Sequence, residues 1–274
     1  MRLPALLIMI GLLAAACSDD VNSFAAIASS EGSVGVGEQR VLVAIIDSET
    51  NEFLATEEVT PIATLRDGIG APLGEYTGEF VWTIPDVRGL YAFDVDIPGP
   101  ATYQLTVDAG ELGDLGPIGL VAVDDPLQVA VGEAAPRSET RTVDDAPLSD
   151  LTSDPNPDPA FYEMTVAQAI EAGPSVVVFA TPAWCTSQAC GPMLDQAKEA
   201  AGVFPGVNFV HVEVYENIHV TDRLDLILVP SVEEWGLPSE PWLYVIDDRG
   251  VVTAAFEGAV SDAELDDAIG AVAP

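Results

Sequence analysis

Six prolines fall between residues 126 and 160, at 126, 136, 147, 155, 157 and 159, among mostly polar neighbours. Proline fixes φ and lacks a backbone donor, so a stretch this rich in it reads as an extended, semi-stiff linker rather than helix or central strand. It divides the 274-residue chain into two parts, and the apolar pattern differs on its two sides. Over 35–125, short runs rich in β-branched and aromatic residues are broken by turn signals at intervals of about 8–12 residues. The candidate strands are 40–46, 59–65, 78–84, 89–97, 102–107 and 118–123. Tyr91, Phe93, Val95 and Ile97 share one face, as do Tyr103, Leu105 and Val107, a period of two that argues for half-buried strands. Two β-sheets packed face to face would bury those faces.

Over 161–274 the period changes. Thr165 and Gln168 form a capping box before a short helix ending at Gly173, and SVVVFA (175–180) is a continuous apolar run suited to a strand buried on both faces. A loop holding two cysteines, a helix over 192–201 and a strand over 207–214 follow. Strands over 242–247 and 251–256 flank a turn at 248–250, and Ser261 with Glu264 caps a last helix. This order predicts a mixed α/β sheet with helices on both faces.

Family resemblances add to these patterns. GLYAFDVDI at 89–97, with PGPATYQLTV at 98–107, resembles the paired late strands of bacterial immunoglobulin-like modules, which implies an all-β immunoglobulin-like sandwich over 35–125. This part carries no histidine or cysteine and no catalytic constellation, so a spacer or interaction role is expected of it. At the N-terminus, residues 1–16 pair Arg2 with an apolar run shorter than a membrane span, the pattern of a signal peptide. The run ends in LAAAC, which resembles the lipobox of bacterial lipoproteins. That resemblance implies cleavage before Cys17, lipidation of Cys17, and a mature protein anchored to a membrane and facing outside the cytoplasm, with 17–34 as a tether.

If Cys17 carries lipid, Cys185 and Cys190 remain as an even pair in a compartment where disulfides persist. VVVFATPAWCTSQACGP, followed by SEPWLYVIDDRGVV, resembles the thioredoxin fold, in particular its membrane-tethered extracytoplasmic members. The resemblance implies a reactive Cys185 at a helix N-terminus after Trp184, a resolving Cys190, and a cis-proline at Pro241 packed against the reactive cysteine. Helix N-terminal N–H groups stabilise a thiolate, the nucleophile of thiol–disulfide exchange. Glu240, beside Pro241, is a candidate proton-transfer group or a surface acid.

The spacing departs from the C-x2-C of thioredoxins. On an ideal helix, Cα atoms five residues apart lie about 8.6 Å apart, beyond the roughly 4.4–6.8 Å of a disulfide. The segment between the cysteines must therefore be irregular when oxidised. Either Pro192 is the first helical residue, with both cysteines in the preceding loop, or a helix begins near Cys185 and oxidation melts a turn. The first route is expected here. C-x4-C also resembles the peroxiredoxins of the bacterioferritin-comigratory type, although Pro182 takes the place of their threonine and their arginine would fall near Pro241.

His211, alternating within a strand, and His219, in a loop, are each expected to be a core or surface histidine rather than a metal ligand. Asp154, Asn156 and Asp158 open like a calcium loop, but Pro159 and Thr165 occupy its required glycine and acid positions. No metal and no cofactor are expected. A formal net charge of −36 repels phosphate backbones and excludes nucleic acid as a partner. The expected function is thiol–disulfide exchange with extracytoplasmic proteins bearing thiols or disulfides. The alternatives are a non-catalytic tethered binding protein with a structural disulfide and a thiol peroxidase.

Overall fold

The computed structural model describes residues 23–274, so the signal peptide and Cys17 lie outside the described residues. Among the described residues, eight strands precede residue 125: β1 (Ser23–Ile27), β2 (Gly37–Asp47), β3 (Ile62–Arg66), β4 (Pro72–Thr77), β5 (Glu79–Ile84), β6 (Arg88–Ile97), β7 (Ala101–Asp108) and β8 (Asp114–Ala122). They form two four-stranded antiparallel sheets, ordered β1-β2-β6-β5 and β4-β3-β7-β8. Val41, Val43, Ile45, Tyr91, Phe93 and Val95 from the first sheet share one core with Ala63, Leu65, Leu105, Val107 and Leu120 from the second. The alternation read from β6 and β7 is therefore the alternation that fills this core.

Part of the expected tether belongs to the fold. Ser23–Ile27 pairs with β2, Phe24 opposite Ile46, and Ala25 is buried in the shared core. The run SFAAIA is too short and too rich in alanine to stand out as a strand, and only the neighbouring edge of β2 makes it one.

The second unit contains helices α1 (Leu148–Leu151) and α2 (Val166–Ala172), β9 (Ser175–Ala180), α3 (Cys190–Val203), β10 (Asn208–Glu213), α4 (Pro230–Glu234), β11 (Trp242–Ile246), β12 (Val252–Glu257) and α5 (Asp262–Gly270). Its sheet runs β10-β9-β11-β12, with β10 and β9 parallel and the other pairs antiparallel. Met193, Leu194, Leu265 and Ile269 of α3 and α5 cover one face; Val166 and Ile170 of α2, Val232 of α4 and the adjoining Trp235 cover the other. Both capping boxes form: Thr165 Oγ1 accepts from the Gln168 N–H and Ser261 Oγ from the Glu264 N–H. No helix among the described residues is long and apolar enough to cross a membrane.

The proline-rich stretch is docked along its length. The Val129 N–H donates to the Trp235 carbonyl, Gly132 and Glu133 exchange hydrogen bonds with Val252, and the Ala135 N–H donates to the Gly250 carbonyl. Of its apolar residues, Leu127, Val131 and Val143 are exposed, while Ala135 and Leu151 are buried in the second unit. Those few anchors suffice because the chain lies against a strand edge that supplies the missing backbone partners.

The two units also meet directly. Leu42, Ala44, Val81, Leu90 and Ala92 point away from the core of the first unit, yet all are buried, packed with Ala259 from beyond β12. Around this apolar seam, Arg40 makes a two-pronged ion pair with Glu264, at 2.7 and 3.1 Å. Glu257 accepts from the Ser30 N–H at 3.0 Å and from the Ser30 and Ser33 hydroxyls.

Candidate active site

The cysteine loop leaves the C-terminal end of β9, where three strands converge. Parallel pairing puts Glu213 of β10 opposite Ala180, and antiparallel pairing puts Trp242 of β11 opposite Phe179. Pro241, immediately before Trp242, is thus brought to the same end of the sheet. The Glu240–Pro241 peptide is cis, as expected, Pro241 is buried, and its carbonyl accepts from the Gly258 N–H.

Beyond Thr181 the chain turns, with the Trp184 N–H donating to the Thr181 carbonyl at 3.0 Å. The Trp184 indole N–H donates to the Ile218 carbonyl at 3.1 Å, and the Arg223 guanidinium donates to the Trp184 carbonyl. Glu240 is part-buried; burial raises its pKa, and the nearby Arg223 charge opposes that rise.

Cys185 and Cys190 form a disulfide with Cα atoms 6.0 Å apart, within the usual range. Neither expected route is followed in full. The helix opens at Cys190 itself, so only Cys185 lies in the preceding loop, and Pro192 is the third helical residue rather than the first. The missing proline N–H costs nothing there, because N–H groups in the first turn have no intrahelical partner. Gln188, at φ 63°, folds the loop back so that the bridge closes ahead of regular helix.

The two sulfurs have different surroundings. Cys190 is fully buried beside Ala180, Met193 and Leu194, whereas Cys185 is partly exposed at the edge of that cluster. The Cys190 N–H, at the start of α3, points to Cys185 Sγ at 3.2 Å, and Ser187 Oγ lies 3.3 Å from the same sulfur. On reduction, these donors and the helix dipole would favour a thiolate on Cys185, the sulfur a partner can reach.

Beneath the loop lie the buried polar residues His211, expected as a core or surface histidine, and Glu213, which was not anticipated from the sequence. His211 Nε2 faces the Ala180 carbonyl at 3.1 Å, and Nδ1 faces the Tyr162 hydroxyl at 2.6 Å. A neutral ring that donates from Nε2 and accepts at Nδ1 satisfies both contacts. Burial pushes its pKa down to about 4. Glu213 is 7% exposed, and burial raises its pKa against the Thr181 and Ser153 side chains, which lower it. Its Oε2 accepts from the Ser153 N–H and hydroxyl, both at 2.7 Å, while the Ser153 hydroxyl accepts from the Ala183 N–H in the cysteine loop. The sequence signal was the HVE triplet of β10, two polar residues on one face of an otherwise apolar strand. His219 is exposed and paired with Asp150.

No family model and no curated protein matches the chain. Among solved structures, a thiol:disulfide interchange protein of the thioredoxin family from Chlorobium tepidum TLS is similar at 18% identity, covering 53% of this chain and 98% of that one with a TM-score of 0.34. A likeness at that level carries no weight on its own. The geometry of the pair itself, two cysteines at disulfide distance at a helix N-terminus, points to thiol–disulfide chemistry.

Proposed function

We propose that this chain is an extracytoplasmic thiol–disulfide oxidoreductase, held to a membrane by lipid on Cys17, with an immunoglobulin-like sandwich ahead of a thioredoxin-like unit. The observation that carries the catalytic part is the asymmetry of the pair: one partly exposed sulfur facing a helix N–H, one buried sulfur behind it. The anchor and the location rest on the LAAAC sequence.

In the reducing direction, the Cys185 thiolate attacks one sulfur of a partner disulfide. The partner's S–S bond breaks, and its leaving sulfur takes a proton from solvent, matching the one Cys185 released on ionising. Cys190 then attacks Cys185 Sγ, the mixed disulfide breaks, and the second partner sulfur leaves with the proton from Cys190. Two electrons and two protons pass to the partner, and the Cys185–Cys190 bond reforms. The opposite direction reverses each step, and the reduction potential of the pair sets which one runs.

The test is an equilibrium redox titration of the full chain in detergent, read by the mass shift of thiol labelling. A reversible transition well above about −300 mV supports exchange. A pair that stays oxidised across the series overturns the oxidoreductase reading in favour of a tethered binding protein with a structural disulfide.

A further inference from the structure

The first unit reaches into the cysteine loop. Arg88, the first residue of β6, donates from Nη1 to the carbonyl of Ser187 at 2.9 Å. Ser187 lies between the two cysteines, and its hydroxyl contacts Cys185 Sγ. The Arg88 guanidinium lies over the Phe53 ring at 4.8 Å, and Phe53 packs against the apolar seam between the units. The arginine is thus fixed at its base by the first unit and spends its donor on the second. Two of the nine basic residues of this strongly acidic chain, Arg88 and Arg223, hold loop carbonyls, one on either side of Cys185.

We infer that Arg88 is a positioning residue for the disulfide, and that the N-terminal unit thereby sets how readily the pair is reduced. This inference rests on the thiol–disulfide reading above. The four residues between the cysteines are irregular: Trp184 ties the chain ahead of Cys185 to Ile218 and Arg223, but beyond Cys185 the loop is held by the bridge, by the Ser187 hydroxyl's contacts with Cys185 Sγ and the Ala189 N–H, and by Arg88. When the bridge opens, the Ser187 carbonyl is no longer kept in place, and the hydrogen bond from Arg88 must be made at the expense of loop entropy. The contact is therefore stronger in the oxidised form and favours the disulfide. A positive charge near Cys185 also favours its thiolate, which acts in the opposite sense. That effect is screened at a partly exposed guanidinium, whereas the charge-assisted hydrogen bond is direct, so the hydrogen bond dominates. Linkage makes the coupling reciprocal: if Arg88 grips the oxidised loop more tightly, reduction loosens the seam by the same factor.

The experiment is the same redox titration on the full chain, comparing the unmodified protein with Arg88→Met, Arg88→Lys and Arg40→Gln. Arg88→Met keeps the side-chain stem but removes the donor. It is expected to make the disulfide about tenfold easier to reduce, a shift of about 30 mV. Arg88→Lys, which can still donate to the carbonyl, should recover part of that shift. Arg40→Gln breaks the ion pair to Glu264 across the same seam without touching the loop, and should leave the equilibrium within twofold. If Arg88→Met titrates like the unmodified chain, or Arg40→Gln shifts as far, the inference is overturned while the oxidoreductase reading stands. If the unmodified pair shows no transition, both fall. A second measurement needs no variant: hydrogen exchange at the amides of Leu90 and Val81 should be faster in the reduced chain, and equal rates in the two redox forms would refute the coupling.

Discussion

Replacing Cys190 with serine leaves Cys185 its partial exposure and its place at the α3 N-terminus, but removes the sulfur that would release a bound partner. Cys190→Ser is therefore expected to accumulate mixed disulfides through Cys185, visible as reductant-sensitive bands on a non-reducing gel. Cys185→Ser should form none, because its remaining thiol is buried. Beneath the loop, His211 ties stability to pH. Its pKa falls from 6.5 to about 4 on burial, so between those values the unfolded chain binds more protons than the folded one. The contribution is complete above about pH 6.5 and is lost as pH falls towards 4; at about 1.4 kcal/mol per pKa unit it amounts to roughly 3 kcal/mol. Urea denaturation at pH 7, 5.5 and 4 should show a steeper acid loss for the unmodified chain than for His211→Gln, and parallel curves would exclude this role. Glu213, raised by burial, has the opposite sense: its contribution is present below its unfolded pKa and is lost as pH rises through the folded value.

Among the elements, the docked proline-rich stretch makes one glycine indispensable. Gly236 has φ 63°, and a Cβ there would lie 1.8 Å from the Leu127 carbonyl oxygen. Gly236→Ala must both strain the backbone and push the stretch off the second unit, and a loss of about 2 kcal/mol or more is expected in chemical denaturation. A neutral result would mean that the stretch is not seated there. That docking was not legible in the sequence, because many of its anchors are backbone hydrogen bonds to residues far along the chain, which carry no side-chain pattern. Elements with a local signature were legible. The continuous run of β9, the alternation of β6 and β7, and the capping boxes of α2 and α5 all lie where the sequence placed them. The start of α3 was displaced by two residues because proline is tolerated throughout a first turn, and its presence at 192 does not mark which position it fills. The short edge strands β1 and β4 carried too little apolar pattern to be read. Within the site, the cysteine pair was marked by its spacing and Pro241 by the family resemblance, while the cis state of its peptide bond carries no sequence signal. Arg88 and Glu213 reach the loop from distant elements, and only the tertiary fold brings them there.

At the scale of the whole molecule, the seam explains a feature of the first unit that its own core does not. VLVAII at 41–46 is apolar at every position, where a sheet with one face in water would alternate. Val41, Val43 and Ile45 fill the core, and Leu42 and Ala44 fill the seam. Leu42→Ala should therefore cost about 3 kcal/mol, as a core leucine does, although it lies on the outer face of its sheet. A loss below about 0.5 kcal/mol, the range of an ordinary surface site, would mean that the units part in solution. The early start of β1 has a different consequence. With Cys17 lipidated as proposed, only five residues separate the anchor from Ser23, the first residue of β1. Whatever its conformation, a stretch of that length reaches at most about 20 Å. The oxidoreductase would then patrol a thin layer above the bilayer, and its clients would be proteins whose cysteines come within that layer.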